Sequence, residues 1–286
     1  TKYVHPDVRC FSVIGDLVLI ASDGGNSIST DGMANVRMTG QWISGVDLWG
    51  FGSSFKGDVI GSGDDHGPTE MRWSDSEGGW EHDGGADSKD ITINPVQPRW
   101  VYAMDIYRKY RMVTKEAAYD KSYTIPNTSI SSLRYLAVNP NLYAVSYPVK
   151  DAYLMVSKDN MATIAETLYT FSANITRVKQ ALRNPSVFYV LVNLKDIYKS
   201  TDGGRTFTKI TPNTTVTGGK TNITDIEVSN DGSVVWLSYG QVQTTCKVVK
   251  STDGGASWVN YTASGLPSPV ASNITMQPGT NGGIYL

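Results

Sequence analysis

Short runs of β-branched and aromatic residues recur along the whole chain, and each is bounded by Gly, Asn, Asp or Pro. Runs of this kind predict β-strands, and no window shows the periodicity of an amphipathic helix. The clearest runs flank Asn-Pro pairs: Ile91–Ile93 and Trp100–Met104, Tyr135–Val138 and Leu142–Tyr147, and Val178–Leu182 and Val187–Val192. The pattern predicts an all-β protein built from many short strands.

The turns between these runs repeat at a nearly constant interval. Asn94-Pro95, Asn139-Pro140 and Asn184-Pro185 lie 45 residues apart. Similar turns extend the series in both directions: Gly15-Asp16, Lys56-Gly57-Asp58, Asn230-Asp231-Gly232 and Gln277-Pro278-Gly279. Four short strands in a unit of about 40–45 residues are typical of a β-propeller blade. Seven such turns therefore predict a seven-bladed β-propeller.

We predict one propeller domain over residues 1–286, with approximate blades at 5–40, 41–82, 83–127, 128–173, 174–219, 220–267 and 268–286. The last blade is expected to be incomplete, because Ile274–Met276 and Ile284–Leu286 supply only two strands. Residues 1–4 are expected to close it as an outer strand, since a ring has to cover its last edge. The chain is therefore expected to be part of a longer polypeptide. A six-bladed ring and a thin final blade are the alternatives.

A second motif, S-x-D-x-G-x-[ST]-aromatic, falls between the third and fourth predicted strands of several units. Its Gly permits positive φ, and its Ser and Asp can bond the backbone of the turn, so we expect a structural role. Two copies are complete and two are weaker. The residues assigned to this role are Ser29, Asp31, Ser157, Asp159, Ser200, Asp202, Phe207, Ser251, Asp253 and Trp258.

These motifs resemble the Asp-box, or BNR-repeat, β-propellers, a family that includes sialidases, sortilin-type receptors, photosystem assembly factors and two-propeller xyloglucanases. Leu17–Gly25 with Ser29–Gly32, and Gly84–Asp87 with Ile91–Pro95, are most similar to secreted bacterial propellers of the xyloglucanase branch. The resemblance implies the fold, whereas the family includes both enzymes and binding proteins. The Arg-Ile-Pro signature of sialidases is absent.

The resemblance to xyloglucanases also implies a candidate general base. Asp23, followed by Gly24 and Gly25, matches the position after the second strand where that family has its base. The family's general acid lies in a second propeller, so a hydrolase here would need another acid, for which Asp65 and Asp87 are the candidates. Inverting hydrolysis needs two carboxyl groups about 6.5–9.5 Å apart.

Composition and charge narrow the function classes. The chain has 286 residues, 40% of them hydrophobic, and 25 basic residues against 27 acidic ones. This balance gives no basic field for nucleic acid, and no apolar stretch is long enough to span a membrane. Cys10 and Cys246 are the only cysteines, so at most one disulfide is open to them. Six N-x-[ST] sequons and the scarcity of Cys favour an extracellular or cell-surface location.

The negative charge is concentrated in residues 58–90, which contain ten acidic residues against Arg72 and Lys89, a net charge of −8. Asp64, His66, His82 and Asp83 lie there, in loops expected on the propeller face opposite the Asp boxes. They are candidates for ligand binding, for a structural cation near Asp64 and Asp83, or for a solvated acidic loop pair. No other cofactor is predicted. Further candidates on this face are Trp42, Arg108 and Arg111.

From the sequence we expect a secreted or cell-surface propeller whose loop face binds a glycan or a protein. A glycoside hydrolase of the xyloglucanase type, acting on a β-glucan, is the first alternative. An assembly scaffold is the second, and it would be distinguished by a large exposed apolar patch.

Overall fold

The structure, a computed structural model, describes residues 8–22, 25–39, 48–53, 59–64, 69–73, 81–83, 88–93, 100–105, 109–113, 122–124, 133–138, 144–148, 151–159, 163, 166–240, 245–263, 266, 273–277, 279–280 and 282–286. These residues form antiparallel sheets of short strands, so the predicted all-β class is confirmed. In this part of the chain no helix is long and apolar enough to cross a membrane. Residues 1–4, the predicted closing strand, lie outside the described residues.

The described strands form six four-stranded sheets and one two-stranded sheet, and within each sheet the strands are neighbours in chain order. The first three sheets contain β1 (Val8–Ile14), β2 (Leu17–Ser22), β3 (Gly25–Ser29), β4 (Arg37–Met38); β5 (Leu48–Ser53), β6 (Val59–Asp64), β7 (Thr69–Trp73), β8 (Glu81–Asp83); β9 (Ser88–Ile93), β10 (Trp100–Asp105), β11 (Lys109–Val113) and β12 (Ser122–Thr124).

The remaining sheets contain β13 (Leu133–Val138), β14 (Ala144–Pro148), β15 (Tyr153–Ser157), β16 (Glu166–Thr170); β17 (Ile175–Gln180), β18 (Phe188–Val192), β19 (Asp196–Ser200), β20 (Thr208–Lys209); β21 (Ile223–Val228), β22 (Val235–Tyr239), β23 (Val248–Ser251), β24 (Val259–Asn260); and β25 (Thr275–Met276) with β26 (Ile284–Tyr285). The chain divides into two compact units, Thr1–Ile93 with Ala103–Arg108, and Asn94–Tyr102 with Lys109–Leu286.

The core of the second unit lies between successive sheets, and β18 shows how the sequence builds it. All five residues of β18 are buried. Because side chains alternate along a strand, Phe188 and Val190 join a cluster with Leu154 and Phe171, whereas Tyr189 and Leu191 join one with residues of the sixth sheet. A strand covered on both faces reads as a continuous apolar run. The run Val187–Val192 is therefore explained by packing on both sides.

One short helix, α1 (Thr214–Thr217), interrupts the β-structure between β20 and β21. The Asn213 side chain accepts a hydrogen bond from the Val216 amide, and Gly218 ends the helix with a φ of 59°. The sequence showed no helical periodicity, because a single turn is too short to produce one. Both cysteines are free thiols, Cys10 exposed and Cys246 buried.

Candidate functional site

In the described residues, four connections between a third and a fourth strand begin with the same hydrogen bond, and we call each of them a Ser-x-Asp turn. In each, a buried serine at the end of the third strand donates a hydrogen bond to Oδ1 of the aspartate two residues later, over 2.7 to 3.0 Å. The pairs are Ser29 and Asp31, Ser157 and Asp159, Ser200 and Asp202, and Ser251 and Asp253.

The turn at Asp202 uses both oxygens of its carboxylate. Oδ1 also accepts hydrogen bonds from the amides of Arg205 and Thr206, each at 3.0 Å, and Oδ2 accepts one from the Thr206 hydroxyl at 2.6 Å. The Ser200 hydroxyl oxygen accepts a bond from the amide of Gly204 at 2.9 Å. Gly204 has a φ of 86°, which explains why the motif favours glycine there. The side chains of Ser200 and Asp202 thus bond groups of their own turn.

These bonds favour the charged form of each aspartate. Hydrogen bonds from Thr206 hold the pKa of Asp202 well below its usual range, and Ser257 does the same for the pKa of Asp253. For Asp31 the side chain of Asn35 is the main cause of a lowered pKa. A carboxylate with a lowered pKa and occupied oxygens is poorly suited to general acid catalysis near neutral pH.

The aromatic residue at the end of the motif packs on the preceding sheet. The ring of Phe207 lies 4.7 Å from that of Tyr169 and 4.9 Å from that of Phe171, between ring centres. Trp258 packs on the core between the fifth and sixth sheets and donates its Nε1 hydrogen to the carbonyl of Ile210 at 2.9 Å. The motif thus stabilises both its own turn and the contact between sheets.

A further turn with a serine-to-aspartate hydrogen bond lies between β21 and β22. The Ser229 hydroxyl donates to Oδ1 of Asp231 at 2.6 Å, and Ser233 donates to the same carboxylate through its amide and its hydroxyl. The Ser229 side chain, with Ser233, lowers the pKa of Asp231 to about 2. The sequence predicted Asn230-Asp231-Gly232 only as a turn between two strands. The signal that could have found it was the serine two residues before Asp231.

Tyr189 connects this turn to the neighbouring Ser-x-Asp turn. Its buried hydroxyl donates to the carbonyl of Gly232 at 2.7 Å and lies 3.2 Å from the carbonyl of Gly254, which also accepts a bond from Lys199 Nζ at 2.9 Å. Burial is the main cause of a raised pKa for Tyr189. The next sheet repeats the arrangement, because Trp236 Nε1 donates to the carbonyl of Gly282 at 3.0 Å.

Two ion pairs join the first strands of the fifth and sixth sheets. Lys179 Nζ lies 2.9 Å from Glu227 Oε2, and Arg177 Nε lies 3.6 Å from Asp225 Oδ1. Asp225 is buried, and its other oxygen accepts a hydrogen bond from the amide of Ile274 at 3.1 Å. A buried carboxylate needs such partners, so these charges bind strands to one another rather than offering a free reactive group.

Strand β1 is exposed along its whole length, although much of it is apolar. The exposed fraction of Phe11 is 69%, and Val8, Val13 and Ile14 are also exposed. Contiguous exposed apolar residues commonly mark an interaction surface.

Four of the predicted ligand-binding residues lie in described strands: Asp64 in β6, His82 and Asp83 in β8, and Arg111 in β11. The other sequence-predicted residues lie outside the described residues: Asp23, Trp42, Asp65, His66, Asp87 and Arg108. Asp23 follows the last residue of β2, Asp65 and His66 follow β6, and Arg108 precedes β11, so each belongs to a connection between a second and a third strand.

The strand register brings two of the acidic residues to one end of the second sheet. Asp64 pairs with Leu48 in β5, and Asp83 pairs with Thr69 in β7. Thr69 begins β7 directly after the connection from β6, so Asp64 and Asp83 both lie at the end that carries this connection. We call this end of a sheet the connection end. We call the opposite end, which carries the turn from the third to the fourth strand, the turn end.

The described part of the chain contains no group of three or more His, Cys, Asp or Glu residues placed to hold a metal ion. Most described carboxylates with a lowered pKa lie in the Ser-x-Asp turns, where serine, threonine and backbone donors already occupy them. These turns therefore serve the fold.

No protein-family model matches the chain, and no curated protein matches it in sequence. Solved structures do resemble it. The GH74 enzyme of Niastella koreensis superposes with a TM-score of 0.59 at 14% identity, over 90% of this chain and 37% of the enzyme's chain. This chain thus spans well under half of that enzyme.

Two similar structures have a length closer to that of this chain. A YCF48 protein bound to D1 peptide has a TM-score of 0.54 at 13% identity, over 91% of this chain and 84% of its own. The β-propeller domain of Swd1 from Myceliophteria thermophila has a TM-score of 0.56 at 11% identity, over 90% and 86% of the two chains. At this identity such likenesses show the fold alone, and the fold of the chain is that of a β-propeller.

Proposed function

We propose that the protein is a seven-bladed, Asp-box β-propeller that binds a glycan or a protein ligand at the connection end of its sheets. The observation that carries the proposal is the register of the second sheet. It brings Asp64 and Asp83 to the same end as the connection that contains Asp65 and His66. Binding residues are commonly found on loops that a rigid scaffold positions.

The hydrogen bonding within the turns at the turn end supports a ligand site at the connection end. The carboxylates of Asp31, Asp202 and Asp253 are bonded within their own turns, which leaves them little capacity to bind a ligand. In the first unit the sequence supplies acidic, imidazole and aromatic groups to this end, of which Trp42, His82 and Arg108 are proposed to contribute. Arg111, in the second unit, is proposed as a separate ligand-contacting residue. An acidic surface favours neutral or basic ligands over anionic ones.

A binding screen with a charge-matched control tests the proposal. The protein is screened against an array of neutral glycans and a library of basic and neutral peptides. For any ligand found, the variant with Asp64→Asn and Asp83→Asn should bind at least about tenfold more weakly. The control carries Asp16→Asn and Glu166→Gln, two exposed carboxylates elsewhere, and should bind normally. Equal affinity of the two variants would refute a site at this end.

A glycoside hydrolase is the second candidate, favoured by the position of Asp23. β2 ends at Ser22 and β3 begins at Gly25, so Asp23 lies in a two-residue connection where xyloglucanase-type enzymes have their base. The test is release of reducing ends from xyloglucan. A hydrolase should lose activity in Asp23→Asn and in one of Asp65→Asn or Asp87→Asn, with inversion at the anomeric carbon. An inactive wild-type protein would eliminate this candidate.

The exposed apolar strand β1 favours the third candidate, an assembly scaffold. A scaffold of this kind should bind a protein partner through Phe11 and Val13, and a similar structure, YCF48, was solved with a D1 peptide bound. Replacing both residues with Ser should abolish such binding without changing the affinity for a ligand at the connection end. Loss of both activities together would argue against a separate scaffold surface.

We propose that the protein acts outside the cell or on its surface. We also propose a structural cation near Asp64 and Asp83, because two carboxylates lie at the same end of this sheet. Calcium titration by calorimetry, with the Asp64→Asn and Asp83→Asn variant for comparison, tests it. Detection of the native polypeptide in the secreted or surface fraction tests the location.

A further inference from the structure

Four aromatic rings meet where the fourth sheet packs on the fifth, within the second unit. Phe171 directly follows β16 and is only 6% exposed. The centre of its ring lies 4.8 Å from that of Tyr169, 5.4 Å from that of Tyr198 and 4.9 Å from that of Phe207. These three outer rings are only partly buried. We call Tyr169, Phe171, Tyr198 and Phe207 the aromatic seam.

The contact between the fifth and sixth sheets uses a single aromatic ring at the equivalent positions. In place of Tyr169, Phe171 and Tyr198 it has Thr208, Ile210 and Val249. Val249 is fully buried, and Trp258, at the end of the motif, donates a hydrogen bond to the carbonyl of Ile210. Two sheets of this fold therefore pack well without a seam of four aromatic rings.

The two tyrosines of the aromatic seam have hydroxyl groups that the fold does not use. In the part of the chain that the structure describes, neither the Tyr169 nor the Tyr198 hydroxyl has a hydrogen-bond partner. Tyr189, in the same unit, is fully buried, and its hydroxyl bonds the carbonyl of Gly232. Tyr169 and Tyr198 are instead partly exposed, so their hydroxyls are available to a ligand.

An ion pair lies beside Tyr198 on the same face of the fifth sheet. Lys209 pairs with Tyr198 across β19 and β20, and Asp196 lies two residues before Tyr198, so the three side chains share a face. Lys209 Nζ lies 2.9 Å from Asp196 Oδ1, and the Lys209 side chain is 52% exposed. The ammonium has further N–H donors and the carboxylate a second oxygen, so the pair can also bond the hydroxyl groups of a ligand.

We propose that the aromatic seam binds a saccharide of β-1,4-linked pyranose rings whose substituents are all equatorial. The two faces of such a ring carry only C–H bonds, which pack on the rings of Tyr169 and Tyr198. The edge of the sugar carries hydroxyl groups, which bond the phenol hydroxyls and the pair of Asp196 and Lys209.

The chemistry of the aromatic seam favours a saccharide over a wholly apolar ligand. An apolar ligand would cover the two phenol hydroxyls without a hydrogen bond, which costs free energy. Phe171 and Phe207 pack against the tyrosine rings and hold them in position. The aromatic seam contains no residue of the first unit, so this site is separate from the one proposed at Asp64 and Asp83.

Isothermal titration calorimetry of the full chain tests the proposal. The probes are cellohexaose and chitohexaose, which share equatorial β-1,4-linked rings and differ in the group at C2. We expect saturable binding of at least one of them, weakened at least about tenfold in Tyr169→Ala and in Tyr198→Ala. Tyr285→Ala removes an exposed tyrosine outside the aromatic seam and should bind as the wild type does. No binding of either probe at about 1 mM would overturn the proposal.

Two further variants separate this site from a folding artefact and from the connection end. The double variant Tyr169→Phe and Tyr198→Phe keeps all four rings, should melt as the wild type does and should bind at least about threefold more weakly. Equal binding by this variant and the wild type would overturn the proposal. The variant with Asp64→Asn and Asp83→Asn should keep its full affinity for the saccharide. Loss of binding there, with normal binding by Tyr169→Ala and Tyr198→Ala, would also overturn it, because the saccharide would then lie at the connection end.

Discussion

The hydroxyl of Tyr189 donates a hydrogen bond to the carbonyl of Gly232, 43 residues later in the chain and in the next sheet. Tyr189 lies in the second strand of the fifth sheet, and Gly232 lies in the first turn of the sixth. Because the same hydroxyl also reaches Gly254, one side chain holds two turns of the neighbouring sheet in place.

Replacing Tyr189 with Phe should lower the free energy of unfolding by about 1–2 kcal/mol, because the buried carbonyl of Gly232 loses its donor. Gly254 keeps the bond from Lys199, which limits the loss. Urea denaturation followed by tryptophan fluorescence measures the change. Tyr285→Phe removes an exposed hydroxyl and is the matched control. Equal stability of the two variants would contradict the assigned role of Tyr189.

Ser200→Ala should destabilise the protein by about 1–3 kcal/mol. The buried hydroxyl bonds both the Gly204 amide and the Asp202 carboxylate, and alanine leaves both without this partner. The comparison is Ser172→Ala at an exposed position, which should change stability by less than about 0.5 kcal/mol. If Ser200→Ala behaves like Ser172→Ala in urea denaturation, the Ser-x-Asp turn does not stabilise the fold as described.

The stability should fall in acid partly through Asp231. Its pKa is lowered to about 2 in the folded protein, mainly by the Ser229 hydroxyl, whereas an unfolded Asp titrates near about 3.9. The contribution is therefore present above about pH 4 and is lost as the pH falls towards 2. Asp231→Asn should flatten the melting temperature between pH 4 and 2, and Asp16→Asn should not. An unchanged slope in Asp231→Asn would contradict this assignment.

Two glycines with positive φ should respond differently to alanine. At Gly255 a Cβ would clash with Ile210 Cδ1, and φ is 93°, so Gly255→Ala should cost about 3 kcal/mol. At Gly32, with φ of 66°, nothing lies within 4 Å of the added atom, so Gly32→Ala should cost only about 1 kcal/mol of backbone strain. Similar losses in thermal unfolding would show that packing against Ile210 is unimportant.

The sequence predicted the strands and turns that depend on residues close together in the chain. Runs of β-branched residues mark strands such as β9 and β18, and the serine, aspartate and glycine of a motif suffice to predict a closed turn. The hydrogen bond from Tyr189 to Gly232 was not predictable, because it joins residues of two sheets and depends on their packing. The ion pair of Arg177 with Asp225 was missed for the same reason.

Weaker copies of the motif hid part of the pattern. In the first sheet Met33 occupies the place of the second glycine and still has a φ of 71°, so the turn forms although its sequence departs from the motif. The candidate site was predicted from charge and from the position of loops. Asp64 and Asp83 lie at one end of the second sheet, whereas the connection residues Asp65 and His66 lie outside the described part, so the site stays a prediction.

Hydrogen–deuterium exchange with a bound ligand tests most directly the claim that the connection end binds and the turn end is structural. A glycan or peptide from the screen should slow exchange in residues 64–69 and 81–87. Exchange in residues 200–207 and 251–258, the Ser-x-Asp turns of the fifth and sixth sheets, should stay unchanged. Protection confined to those turns, with none in residues 64–69 and 81–87, would contradict the account.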